Sequence, residues 1–86
     1  MAEYSVVVAR SARKELERLG QPQISRILRR IEALALTPRP EGCRKLQGAS
    51  NLWRIRVGDY RVLYAVDDAQ KVVDIIAVRH RSEAYR

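Results

Sequence analysis

The stretch "LWRIRVGDYRVLYAV", Leu52 to Val66, sets two apolar runs on either side of Gly58-Asp59 and threads three arginines through them. A two-residue Gly-Asp connection between β-rich runs predicts a hairpin. Counting outward from that turn, Val57 faces Tyr60, Arg56 faces Arg61, Ile55 faces Val62 and Arg54 faces Leu63. Side chains alternate along a strand, so Arg54, Arg56 and Arg61 share one face, while Trp53, Ile55, Val57, Tyr60, Val62 and Tyr64 share the other. The second face belongs to a core and the first is a cationic plate. Like charges placed opposite each other across a ladder destabilise it by roughly 0.2–1 kcal/mol per pair. An anion that completes the plate explains why it is there.

Downstream, "DDAQK" reads as a turn and "VVDIIAVRH" as a last strand before the polar tail "RSEAYR". Strict alternation puts Asp74, Ile76, Val78 and His80 on one face of it and Val73, Ile75, Ala77 and Arg79 on the other, leaving open which face is which. Upstream, "PRPEGCRKLQGASN" is a Pro- and Gly-punctuated connector with room for a short edge strand around Arg44 to Leu46. "YSVVVA" at the start is short and β-branched, a first strand. Between them lie two amphipathic helices. "SARKELERLG" offers Ser11 as N-cap and Gly20 as a left-handed end, and Pro22 opens "PQISRILRRIEALAL", with Ile24, Ile27, Leu28, Ile31 and Leu34 on its apolar stripe. Thr37-Pro38 ends that run. The expected architecture is α+β: an N-terminal strand, a helical hairpin, then an antiparallel sheet of three to four strands with the helices packed on one face, all in one domain spanning residues 1–86.

Composition narrows the function. Eighty-six residues, nearly half of them apolar, suffice for one modest core. No stretch approaches a membrane span, no signal sequence is visible, and the lone Cys43 forms no intramolecular disulfide, so a cytoplasmic protein without membrane contact is expected. Seventeen Lys and Arg against ten Asp and Glu leave a net charge of +7, and arginine far outnumbers lysine. That bias favours bidentate phosphate or carboxylate partners, in nucleic acid or an acidic protein. One His and one distant Cys make no metal site, glycine-rich phosphate loops are absent, and Cys43 has no identifiable base, so neither metal nor other cofactor is expected.

Arginines beside a histidine and a tyrosine suit one reaction especially well, the attack of an RNA 2′-hydroxyl on its own phosphodiester. The nucleophile belongs to the substrate, so the protein supplies a base, cations for the pentavalent phosphorane and an acid for the leaving 5′-oxygen. Arginine, always protonated, supplies only the cations. Proton transfer then falls to His80, Tyr85 or Glu83.

The hairpin "LWRIRVGDYRVLYAV", the "PRP…G…KLQG" segment before it and the closing "VRHRSEAYR" resemble the RelE/ParE superfamily of bacterial and archaeal type II toxins, more closely its RelE side, over essentially the whole chain. The resemblance implies a RelE-like fold and a metal-independent endoribonuclease that cleaves messenger RNA in the ribosomal A site and so inhibits translation. It implies as partners the ribosome, its mRNA and a cognate antitoxin, short, acidic and DNA-binding. Carried over by motif, Arg54 and Arg56 take the basic positions before the turn, Arg61 the phosphate-contacting one after it, and Arg81 and Tyr85 the C-terminal basic and tyrosine positions, with Arg79 the alternative counterpart of Arg81. Arg44, Lys45 and Arg79 are expected to contact RNA. The RelE pattern has lysines where Arg54 and Arg56 stand, which shifts the acid–base work to the tail and gives His80 weight. Two alternatives share the fold: a ParE-like inhibitor of DNA gyrase, and a catalytically inactive RNA- or antitoxin-binding relative.

Overall fold

In the computed structural model, which describes residues 3–48 and 51–84, the chain runs β1 (Ser5–Val8), α1 (Arg10–Glu17), α2 (Gln23–Ala33), β2 (Arg44–Lys45), β3 (Leu52–Val57), β4 (Tyr60–Asp67), β5 (Val72–His80) and a single turn α3 (Arg81–Ala84). The strands form one sheet in the order β1-β5-β4-β3-β2. Strands β2 to β5 pair antiparallel in sequence order, while the two helices carry the chain from β1 at one edge of the sheet to β2 at the other, and the last strand, β5, returns to lie parallel beside β1. The sheet is therefore mixed and five-stranded, one parallel edge strand more than the antiparallel sheet expected from the sequence.

The hairpin has the predicted register: Val57↔Tyr60, Arg56↔Arg61, Ile55↔Val62 and Arg54↔Leu63. Among the described residues of the loop only Gly58 has a positive φ, +61°, as a II′ turn with glycine first demands. The face shared by Ile55, Val57, Val62, Tyr64 and Val66 is buried under Ala12 and Leu16 of α1, Ile27 and Ile31 of α2, and Leu34. Tyr64 is wholly buried, and its hydroxyl donates to the Pro38 carbonyl at 2.8 Å, tying the connector to the sheet. Burial pushes its phenol pKa well above the ordinary value. Trp53 lies on the same side, partly exposed, with the Arg39 guanidinium 5.2 Å from its ring centre and the Lys45 ammonium 6.0 Å away.

Four local expectations are corrected. Helix α1 starts at Arg10 with Ala9 in the capping position, because the Ser11 hydroxyl donates to the Ile76 carbonyl at 3.0 Å instead of capping its own helix. That helix ends before Gly20, which is not left-handed. Pro22 sits one place before α2 rather than in it, and Leu28 of the apolar stripe is exposed. The largest difference is in β5. Tyr64 pairs with Ile75 and Leu63 with Ala77, so Ile76 is the extra residue of a β-bulge and alternation reverses there. Val73, Ile75, Val78 and His80 consequently share the helix side of the sheet, and Asp74, Ala77 and Arg79 the opposite side.

Candidate functional site

On the face turned away from the helices the arginines line up. Arg56 of β3, Arg61 of β4 and Arg79 of β5 are consecutive partners across three strands, a row roughly 10 Å long at the usual strand spacing. Beside it runs a second row, Arg44, Arg54, Leu63 and Ala77. Arg61 in the middle is only 6% exposed, whereas Arg56 and Arg79 are exposed. Between the rows Arg54, Arg61 and Arg79 surround a hollow of about 240 Å³ with Leu46 and Leu63 as its apolar lining. Guanidinium groups converging on a partly apolar hollow suit a phosphodiester whose flanking sugar or base rests on the leucines.

The fold gathers some of the predicted residues and separates others. Arg54, Arg56, Arg61 and Arg79 come together, and Arg44 flanks Arg54 from the short edge strand. Lys45 faces Trp53 and turns to the other side of the sheet. Arg81 begins α3 at the hairpin tip: its backbone N–H donates to the Asp59 carbonyl at 2.7 Å and its guanidinium stands 3.9 Å from the Asp59 carboxylate. His80 pairs with Tyr60 on the helix side, the two rings edge to face at 5.2 Å and 84°. Its Nδ1 lies 3.0 Å from the Ser82 hydroxyl and accepts the Ser82 backbone N–H at 3.3 Å. A backbone N–H only donates, so the neutral ring carries its proton on Nε2. The sheet thus stands between His80 and Arg61. Tyr85 lies outside the described residues. Among the described residues, no three of His, Cys, Asp and Glu gather to hold a metal.

One functional candidate escaped the sequence reading. Glu15 of α1 accepts the Val78 backbone N–H at 2.7 Å and places its other carboxylate oxygen 3.3 Å from Arg79 Nε. The i, i+4 spacing of Ser11 and Glu15 marks a shared helix face, but nothing in the sequence says which strand that face meets. No helix among the described residues is long and apolar enough to cross a membrane.

Comparison with known proteins identifies the family and the fold. The family described as the ParE toxin of the type II toxin-antitoxin system parDE matches residues 6–85. The chain is 32% identical over 84 residues to the toxin RelE of Mycobacterium tuberculosis, covering 96% of this chain and 87% of that protein. It superposes on the toxin in the archaeal RelE-RelB complex from Pyrococcus horikoshii with a TM-score of 0.82 and 32% identity, covering 94% and 97% of the two chains. On the isolated Escherichia coli RelE toxin the TM-score is 0.79, with 30% identity over 95% of this chain and 90% of that one. A family match spanning residues 6–85, and about a third of residues identical across nearly the full length of both chains, make this chain a member of the RelE/ParE superfamily of type II toxins.

Proposed function

We propose that this toxin is a metal-independent endoribonuclease that cuts messenger RNA in the ribosomal A site. The observation that carries the reading is the cross-strand row Arg56-Arg61-Arg79 with Arg54 beside it over a leucine-lined hollow. Four permanent cations on one face repel one another and do not serve fold stability, and together they can stabilise the negative charge that builds on a phosphorane. In the mechanism, the substrate's 2′-oxygen loses its proton to a base and bonds to phosphorus. The bond from phosphorus to the 5′-oxygen breaks, and that oxygen takes a proton from an acid. The products are a 2′,3′-cyclic phosphate and a free 5′-hydroxyl. Arg61 grips the scissile phosphate, and Arg54, Arg56 and Arg79 stabilise its growing negative charge. With His80 on the helix side of the sheet, proton transfer passes to the tail beyond it, where the family resemblance points to Tyr85. Since a similar toxin forms the RelE-RelB complex of P. horikoshii, we take this chain to bind a cognate antitoxin, whose acidic character would complement its net charge of +7.

Programmed ribosomes provide the test. Wild-type protein should cut the message in the A site with no added metal, leaving the cyclic phosphate, and a 2′-deoxy sugar at the cut position should abolish cleavage. Cutting that persists on the deoxy substrate sinks the mechanism. A second reading, inhibition of DNA gyrase, has the ParE description of the matching family in its favour. It wins if no message is cut while gyrase stalls on DNA.

A further inference from the structure

We propose that Glu15 is a positioning residue of the arginine site, holding the bulged end of β5 so that Arg79, and not His80, faces Arg61. The inference builds on the nuclease reading above. It starts from an edge. Strand β1 ends at Val8, paired with Ile75, and Ala9 gives its N–H to the Ile75 carbonyl at 2.8 Å. Beyond that point β5 has no neighbouring strand on this side among the described residues, and edge groups need other partners.

Helix α1 supplies them. Ser11 and Glu15, one helical turn apart, meet the carbonyl of Ile76 and the N–H of Val78, so the helix stands in for the missing strand over the residues of the bulge. A one-residue slip exchanges the two faces of a strand. If the bulge were ironed out by such a slip, Arg79 would move to the helix side and His80 to the arginine side. The Glu15 carboxylate secures both halves of this step, holding the main chain of Val78 with one oxygen and the side chain of Arg79 with the other. The two contacts differ in weight. Arg79 is half exposed, and exposed ion pairs contribute little. The bond to Val78, a residue only 4% exposed, is charge-assisted and partly buried, so its loss leaves a largely desolvated N–H without its partner. Glu15 therefore acts mainly through the backbone of Val78.

The test is a double-mutant cycle with a conservative variant. Glu15→Ala should slow messenger cleavage about 10-fold in the wild-type background yet change it less than about 2-fold in an Arg79→Ala background, since coupled residues are non-additive. Glu15→Gln, whose amide oxygen can still accept the Val78 N–H, should stay within about 3-fold of wild type. Ser11→Ala, a milder loss at the same edge, should show the same coupling with a smaller effect and serves if Glu15→Ala fails to fold. Amide hydrogen exchange gives a reading independent of activity: the Val78 amide should be protected in wild type and in Glu15→Gln and lose protection in Glu15→Ala. Losses that multiply independently, or a Val78 amide that exchanges freely in wild type, overturn the proposal. If wild type cuts no message, the nuclease reading fails by itself. The same cycle on binding of a short single-stranded RNA, together with the exchange data, then decides the role of Glu15.

Discussion

On one side of β4 the ladder to β3 keeps six consecutive pairs in strict alternation, from Val57↔Tyr60 to Leu52↔Ala65, while on the other side the ladder to β5 shifts by one residue between Tyr64↔Ile75 and Leu63↔Ala77. Both ladders are antiparallel and both are closed by short turns. They differ in what sets the register. Gly58-Asp59 fixes the first ladder locally, because a two-residue loop leaves no slack. The second ladder carries its bulge far from its turn, at the point where β1 stops and α1 takes over the edge. Register set by a turn is a local property. Register set by a neighbouring element belongs to the tertiary structure.

The largest expected effect tests the place where the two ladders meet. Arg61 is flanked by Arg56 from the turn-set ladder and by Arg79 from the bulged one. Arg61→Ala should lower messenger cleavage on the order of 10²–10³-fold, the scale for one preorganised electrostatic donor. Folding should be retained, because the like-charge repulsion that the substitution removes offsets part of the packing lost with this buried side chain. Ribosome-programmed cleavage and a melting curve on the same preparation check both halves. Full activity in the variant would mean that the row binds something other than the scissile phosphate.

The same contrast explains what the sequence made legible. The alternation of Trp53, Ile55 and Val57 against Arg54 and Arg56, with glycine in the turn, was enough to pair the hairpin residue by residue and to gather Arg54, Arg56 and Arg61 on one face. The helical stripe likewise located Ile27, Ile31 and Leu34 in the core. Ile76 gave no such signal. A β-branched apolar residue in an apolar run fits either face, and its displacement comes from Ser11 and Glu15, residues more than 60 positions away. For the same reason Ser11 resembled an N-cap: a serine at a helix start is a local cue, and its use by Ile76 is a distant one. The separation of His80 from Arg61 followed from the bulge and was illegible with it.

Next in size is a stability effect on the turn-set ladder. Alternation puts Trp53 on the core side, where it faces Tyr64 and Lys45 and stacks under Arg39. Trp53→Ala should cost about 3 kcal/mol, the low end of the range for aromatic truncations, because the ring is only partly buried. Denaturant titration measures it. An unchanged midpoint would break the claim that this ladder buries one of its faces without a slip. A smaller effect is expected at the turn. Gly58→Ala should cost about 1–2 kcal/mol from its left-handed backbone alone. A β-carbon there would meet its nearest neighbour, Arg26, at an ordinary contact distance of 3.6 Å. A neutral result would show that the register of the hairpin does not depend on the glycine.

The smallest expected effect belongs to the turn end of the other ladder. Asp68, in the turn between β4 and β5, receives two bonds from the Arg39 guanidinium, at 2.6 and 3.2 Å, and one from the Tyr4 hydroxyl at 2.6 Å. Arg39 first, then Tyr4, holds the carboxyl down at about 2, against an ordinary 3.8. The folded state therefore binds this proton less readily than the unfolded chain. Its contribution to stability is fully present above pH 4 and is lost as the pH falls from about 4 toward 2. The group is well exposed, so the contribution is small and screened by salt. Melting temperatures of wild type and Asp68→Asn should differ at pH 6, converge between pH 4 and 2, and differ less in high salt. A gap that persisted at pH 2 would mean that Asp68 acts through shape rather than charge. The turn of the second ladder would then be as locally determined as Gly58-Asp59 is in the first.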